Sequence, residues 1–341
     1  MRRKIFTPLF ILALFISSCG KKNETITRSF YYWKSGFSLG TDGNRLLNEL
    51  GVKKLYVKFF DVDIYEEDAY PRSTLHVLDT IPAGIEIVPV VFLTNATLKG
   101  TSDYALKDLA VKIVRKIKGI QNCFTSITPI KEIQFDCDWS EETKDNYFSL
   151  LNKIQGEFTE PIMVTATIRL HQVKYFHATG VPPVKRGTLM FYNMGDIDDM
   201  NGESSIFNVK DASRYLVNFD QYPLPLDIAL PVFSWAIVYR EGKILGIIND
   251  FGDDLTNNGA LTMVKENLYK VDKTIRYHDM TLINGDHVKV ERSGTEEALS
   301  AAGLIKPYLA KDSITVTLFD FDYKNLSKYE TQSIEKIFTR F

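Results

Sequence analysis

The sequence is short of the features that mark several large protein classes. It has three cysteines, Cys19, Cys123 and Cys137, too few for a disulfide framework. No Cys-x-x-Cys or His-x-x-Glu pattern occurs, and His76, His171, His177, His278 and His287 are scattered without ligand-like neighbours. That argues against a transition-metal centre. No glycine-rich phosphate loop follows the first strand-like stretch, and no cofactor is expected. With 41 Lys and Arg against 43 Asp and Glu, the formal charge is −2. Nucleic acid, which calls for a clustered basic face, is therefore not an expected partner. The basic cluster Lys112–Lys118 lies on an amphipathic pattern and reads as a solvated helix face.

The N-terminal apolar run, Ile5–Ile16, is too short to span a bilayer as a stable helix. Arg2, Arg3 and Lys4 precede it, and Ile16-Ser17-Ser18-Cys19-Gly20 closes it. This resembles a bacterial lipoprotein signal. The resemblance implies that residues 1–18 are removed, that Cys19 is the acylated N-terminus, and that residues 19–28 form a tether to a lipid bilayer. Two acyl chains anchor durably where one does not. Gly20 is not the aspartate associated with inner-membrane retention, so the expected location is the outer membrane, with the leaflet left open. Cys123 and Cys137 are read as two buried free thiols, because free cysteine packs as a small hydrophobe.

What remains is 341 residues minus this leader, ordinary in composition and rich enough in apolar residues for a large core. Aromatic and β-branched runs alternate with helical patterns: Ser29–Trp33, Lys53–Asp63, Glu86–Asn95, Glu132–Trp139, Pro161–His171, Arg186–Gly195, Leu226–Tyr239 and Ser313–Asp322. Such alternation implies parallel strands joined by crossovers, and eight of them suit an α/β fold of the (β/α)8 TIM type. An α+β insertion before the last strand is expected at about 240–310, with helices near Leu261–Val271 and Thr295–Leu304. The segment Glu66–Gly84 has no clear pattern.

The most informative stretch is Ile133-Gln134-Phe135-Asp136-Cys137-Asp138-Trp139. Alternation puts Gln134, Asp136 and Asp138 on one face and Phe135, Cys137 and Trp139 on the other. Ser140 then reads as a helix N-cap. Three strands finish with the same Asp-x-Asp spacing: Asp61 and Asp63, Asp136 and Asp138, Asp320 and Asp322. Asp196, Asp198 and Asp199 occupy a fourth loop. In a barrel all of these gather at the carboxyl rim, where barrel enzymes keep their sites. Crowded carboxylates raise one another's pKa or hold a hard cation, although helix capping claims some of them. Arg169 is the preferred cationic partner, since Lys58 and Asp61 fall on opposite faces unless a bulge intervenes. Trp33, Tyr192, Asn193 and Trp235 supply aromatic and amide groups that suit a glycan.

These residues resemble the chitinase-like family-18 glycoside hydrolases, whose fourth strand reads Asp-x-x-Asp-x-Asp-x-Glu. Asp136 and Asp138 match the last two aspartates, while Ile133 replaces the first and Ser140 stands where the proton-donating glutamate belongs. Met190-Phe191-Tyr192-Asn193 is similar to the family's Met-x-Tyr-Asp. The resemblance implies a TIM barrel with an α+β insertion and a glycan ligand. Serine is too weak an acid to protonate a glycosidic oxygen. Three functions are therefore open. One is a glycosidase with Asp138 as displaced acid or base and Asp136 as its modulator, aided by Tyr192. The second is an inactive barrel that binds glycans at the membrane. The third is a metal-dependent hydrolase using the aspartate pairs.

Overall fold

The computed structural model describes residues 25–65, 68–124, 129–249, 251–257, 259–309 and 313–341. The expected signal peptide, Cys19 and the start of the tether lie outside the described residues. Eight parallel strands close into a ring: β1 (Thr25–Tyr32), β2 (Lys54–Tyr65), β3 (Glu86–Leu93), β4 (Glu132–Cys137), β5 (Met163–Arg169), β6 (Gly187–Met190), β7 (Leu226–Pro231) and β8 (Ser313–Phe319). β8 pairs with β1, which pairs with β2. The expected TIM-type barrel is therefore what the chain forms. β1 opens at Thr25, so residues 25–28 of the expected tether are strand, with Thr25 opposite Ser313 and Arg28 opposite Val316. The ring is closed within residues 25–341.

The principal helices are α1 (Gly40–Glu49), α2 (Asp103–Gln121), α3 (Lys144–Gly156), α4 (Val209–Tyr215), α5 (Thr295–Ile305) and α6 (Thr331–Phe338). α2 shows why they pack where they do. Leu106, Leu109, Ala110, Ile113, Val114 and Ile117 recur at helical spacing and are all buried, and Ser102 caps the first turn by accepting from the Ala105 N–H. β4 is buried along its whole length, as a strand covered by helices outside and side chains inside must be. Among the described residues, no helix is long and apolar enough to cross a membrane.

Four sequence readings need correction. The run Leu226–Tyr239 is two strands: β7 ends at Pro231, and the chain leaves the barrel before Ser234–Arg240 begins. Two backbone bonds mark the exit, Val232 N–H to Phe319 O and Ser293 N–H to Phe233 O. The insertion accordingly spans 234–292, a five-stranded antiparallel sheet with its own apolar cluster, while α5 belongs to the barrel. Within the insertion, Leu261–Val271 is a hairpin turning at Asn267, not a helix. Third, α3 starts at Lys144 with Thr143 before it, so Ser140 is not its N-cap; the Ser140 N–H instead donates to Thr143 Oγ1. Fourth, Cys137 is buried as expected but Cys123 is exposed. The unassigned segment contributes Asp68–Arg72, which extends β2 antiparallel.

At the amino end of the barrel the interior is polar. Lys54 Nζ sits 2.6 Å from Glu132, which also accepts from Thr165 at 2.9 Å. Asp227, almost fully buried, accepts from Arg186 at 3.0 Å and from the Thr315 N–H at 2.7 Å. Burial pushes its carboxyl up to about 6, against the pull of those two donors.

Candidate functional site

The opposite, carboxyl end of the barrel opens into a cavity of about 280 Å³. Strand register explains its floor. Asp61 lies opposite Phe92, and Phe92 opposite Asp136, so β2, β3 and β4 bring these side chains to one level. On β5, two residues beyond Thr167 in the inward series, Arg169 reaches back to Asp136 at 2.9 Å, and Thr167 donates to the same carboxylate at 2.6 Å. Asp136 is 2% exposed, so this pair satisfies a charge that would otherwise be costly to bury. Arg169 also donates to the Met190 sulfur.

On the β2 side, Lys58 and Asp61 face the same cavity. The register with β3 shifts between Lys58 and Phe60, a bulge that puts Phe59 into the core and turns both charged residues towards the mouth. Lys58 Nζ lies 3.2 Å from the Asp61 carboxylate and 5.6 Å from the centre of the Trp33 ring. Trp33, Phe319 and Tyr192 form an aromatic wall, with Phe319 stacked on Tyr192 at 5.3 Å. The Tyr192 hydroxyl is buried without a hydrogen-bond partner among the described residues. Burial pushes this phenol well above its ordinary range despite Arg169, so it stays a donor. Asn193 follows in the left-handed region, φ 54°, which asparagine tolerates.

Six of the sequence-derived site residues therefore converge on one cavity: Trp33, Asp61, Asp136, Arg169, Tyr192 and Asn193. Lys58, Phe92, Met190 and Phe319 complete the lining. The bulge was the missing signal for Lys58; Met190 belongs to the Met190–Asn193 motif, and Phe92 and Phe319 look like ordinary core residues in the sequence. Asp138, Asp320 and Trp235 are not part of the lining. Asp320 stands just past β8 at the same end of the barrel, near enough to Tyr192 to oppose its ionisation. Trp235 belongs to the insertion and donates to Glu291 at 2.8 Å. Trp139 is fully buried against Tyr147, as its face of the strand required.

Asp138 sits on the exposed rim, 3.3 Å from His171 Nε2. Burial works against its charge, but the His171 hydrogen bond and the Arg169 charge hold its carboxyl below the usual range. At neutral pH it is ionised, able to accept a proton or to stabilise positive charge but not to donate. Its side chain is 58% exposed, so solvent screens the pair. Asp138→Asn is expected to change stability by less than about 1 kcal/mol, the scale of exposed pairs, in urea unfolding at neutral pH. The small contribution is present at neutral pH and lost as pH falls through the depressed value. Ser140 is exposed, and the loop around it is tied down by Asn95, which donates to Asp138 O and accepts from Thr143 at 2.7 Å.

The remaining aspartates do local work. Asp63 accepts from Thr94, Asp322 caps the turn at Lys324, and Asp196 and Asp199 close their own loop by accepting from the N–H groups of Asp198 and Asn201. No group of three His, Cys, Asp or Glu among the described residues converges to hold a metal ion.

No protein-family model and no curated protein sequence matches the chain. Solved structures do. The spore cortex-lytic enzyme SleL of Bacillus cereus superposes with a TM-score of 0.54 at 11% identity, over 93% of this chain and 74% of that one. A glycoside hydrolase family 18 N-acetylglucosaminidase from Paenibacillus barengoltzii gives 0.51 at 12% identity, over 92% and 99%. The Ostrinia furnacalis Group IV chitinase gives 0.52 at 11%, over 93% and 100%. At such identities the likeness is one of architecture, and the architecture shared is the closed barrel of family 18 glycoside hydrolases and chitinases.

Proposed function

We propose that the chain is a lipid-anchored bacterial lipoprotein of the outer membrane whose barrel mouth binds a glycan without protonating its glycosidic bond. One observation carries this reading. The cavity pairs an aromatic wall with polar groups, yet both carboxylates lining it are engaged, Asp61 by Lys58 and Asp136 by Arg169, and position 140 holds an exposed serine. A glycosidase needs one carboxylic acid to protonate the leaving oxygen. A binding site needs only shape, an aromatic face and a few fixed polar groups, and these are what the mouth contains. The similar folds include an N-acetylglucosaminidase and chitinases, so glycans containing N-acetylglucosamine are the first to try.

The test is a glycan array followed by calorimetry, alongside turnover assays on chromogenic glycosides. Binding without turnover is the expected result. Trp33→Ala should weaken binding by about tenfold, the equivalent of about 1.4 kcal/mol. Turnover that disappears in Asp138→Asn would instead put the hydrolase first, with Asp138 as base. Anchoring is tested separately: Cys19→Ser should leave unprocessed precursor and no acylated form, and mass spectrometry finding an unacylated N-terminus cut elsewhere would refute it.

A further inference from the structure

On the flank of the barrel, sharing no lining residue with the mouth, the second half of α2 and the strand Asp68–Arg72 with its following loop bound a cleft of about 600 Å³. That is within the range of small-ligand sites. Pro71, Leu75 and Ile120 give it an apolar wall, while Lys112, Arg115 and Lys116 stand along one side. None of the described lining residues is a carboxylate. Lys112 is held by Asp108 at 2.7 Å, but Arg115 and Lys116 make no ion pair among the described residues.

Gly119 lies inside α2 and faces the cleft. A glycine within a helix destabilises it relative to alanine. Nothing in the fold demands one here, because an added Cβ meets no atom within 4 Å. The space that a side chain would occupy is the cleft itself.

We propose that this cleft binds a single-chain anionic amphiphile of the fatty-acid type, its chain along the Leu75–Ile120 wall and its carboxylate between Arg115 and Lys116. A wholly apolar ligand would leave the two cations without a counter-charge. A compact anion without a chain would leave the wall wet. A sugar would find few acceptors for its hydroxyls. Only a ligand with both parts matches both surfaces.

Cys123 provides the readout. It lines the cleft and is exposed, whereas Cys137 is fully buried. In protein prepared from residue 25 onward, which contains the closed barrel, iodoacetamide therefore reports on this cleft. Dodecanoate below its micellar concentration should protect Cys123 saturably, slowing alkylation by about tenfold or more. Dodecyltrimethylammonium, with the same chain and the opposite charge, should not protect, nor should inorganic phosphate. In calorimetry, Gly119→Phe should abolish dodecanoate binding without lowering the melting midpoint. The pair Arg115→Glu and Lys116→Glu should weaken binding by roughly tenfold or more. Failure of dodecanoate to protect would overturn the proposal. Equal protection by the cation or by phosphate would do so as well, as would undiminished binding by folded Gly119→Phe.

Discussion

Arg169→Met is expected to cost about 3 kcal/mol of stability and to abolish glycan binding at the mouth. The stability loss follows from Asp136, which is 2% exposed and would be left with only Thr167 to donate to it. Removing one partner of a buried pair costs about 3–5 kcal/mol, and the lower end applies because Arg169 itself is 24% exposed. The loss of binding follows from geometry, since both residues line the cavity. The double variant Arg169→Met with Asp136→Leu separates the two effects. Replacing both charges by apolar groups is often neutral, so most of the stability should return while binding does not. Urea unfolding of the two variants with wild type decides it: a single variant within about 0.5 kcal/mol of wild type would show that the pair holds nothing in place.

The second large effect is a pH dependence. Asp227 has its carboxyl raised to about 6 in the fold, chiefly by burial. In the unfolded chain an aspartic acid titrates near its ordinary value, about 3.9. Between those values the folded state holds the proton more tightly, so stability falls as pH rises, and the protonated form's advantage is gone above the folded value. The span corresponds to roughly 3 kcal/mol. Asp227→Asn removes this slope and keeps an oxygen for the Thr315 N–H. Relative to wild type, the variant should therefore gain roughly 3 kcal/mol between about pH 4 and about pH 7. Unfolding curves for both proteins that stay parallel across that window would contradict it.

The barrel was legible in the sequence because its strands are long apolar runs separated by helical periodicity, and neither pattern depends on distant contacts. The same holds for the rim, where alternation along β4 placed Asp136 inward and Trp139 outward. What local pattern could not reveal was where register changes. The bulge at Phe59 puts Lys58 beside Asp61, although strict alternation separates them. Trp235 reads as the end of a barrel strand because apolar residues continue past Pro231, but Ser234–Arg240 is a strand of the insertion whose Ala236 and Val238 belong to a second core, while Trp235 packs back against the barrel. The Leu261–Val271 hairpin reads as a helix for a related reason. One edge of the insertion sheet exposes Met263 and Val264, so its burial does not alternate.

The position of Thr25 has a further bearing on what the mouth can meet. β1 begins at the amino end of the barrel, and the cavity lies at the other end, beyond Tyr32. If Cys19 carries acyl chains, as proposed, the leash from it to Thr25 can reach at most about 20 Å. Anchoring of that kind would hold the amino end towards the bilayer. The strand adds about 26 Å of path, or about 20 Å along the axis at the tilt usual for such barrels. The opening would then point away from that membrane. A molecule held this way would sample polymers that approach from the surrounding compartment, and sugars on the lipids of its own leaflet would stay beneath it.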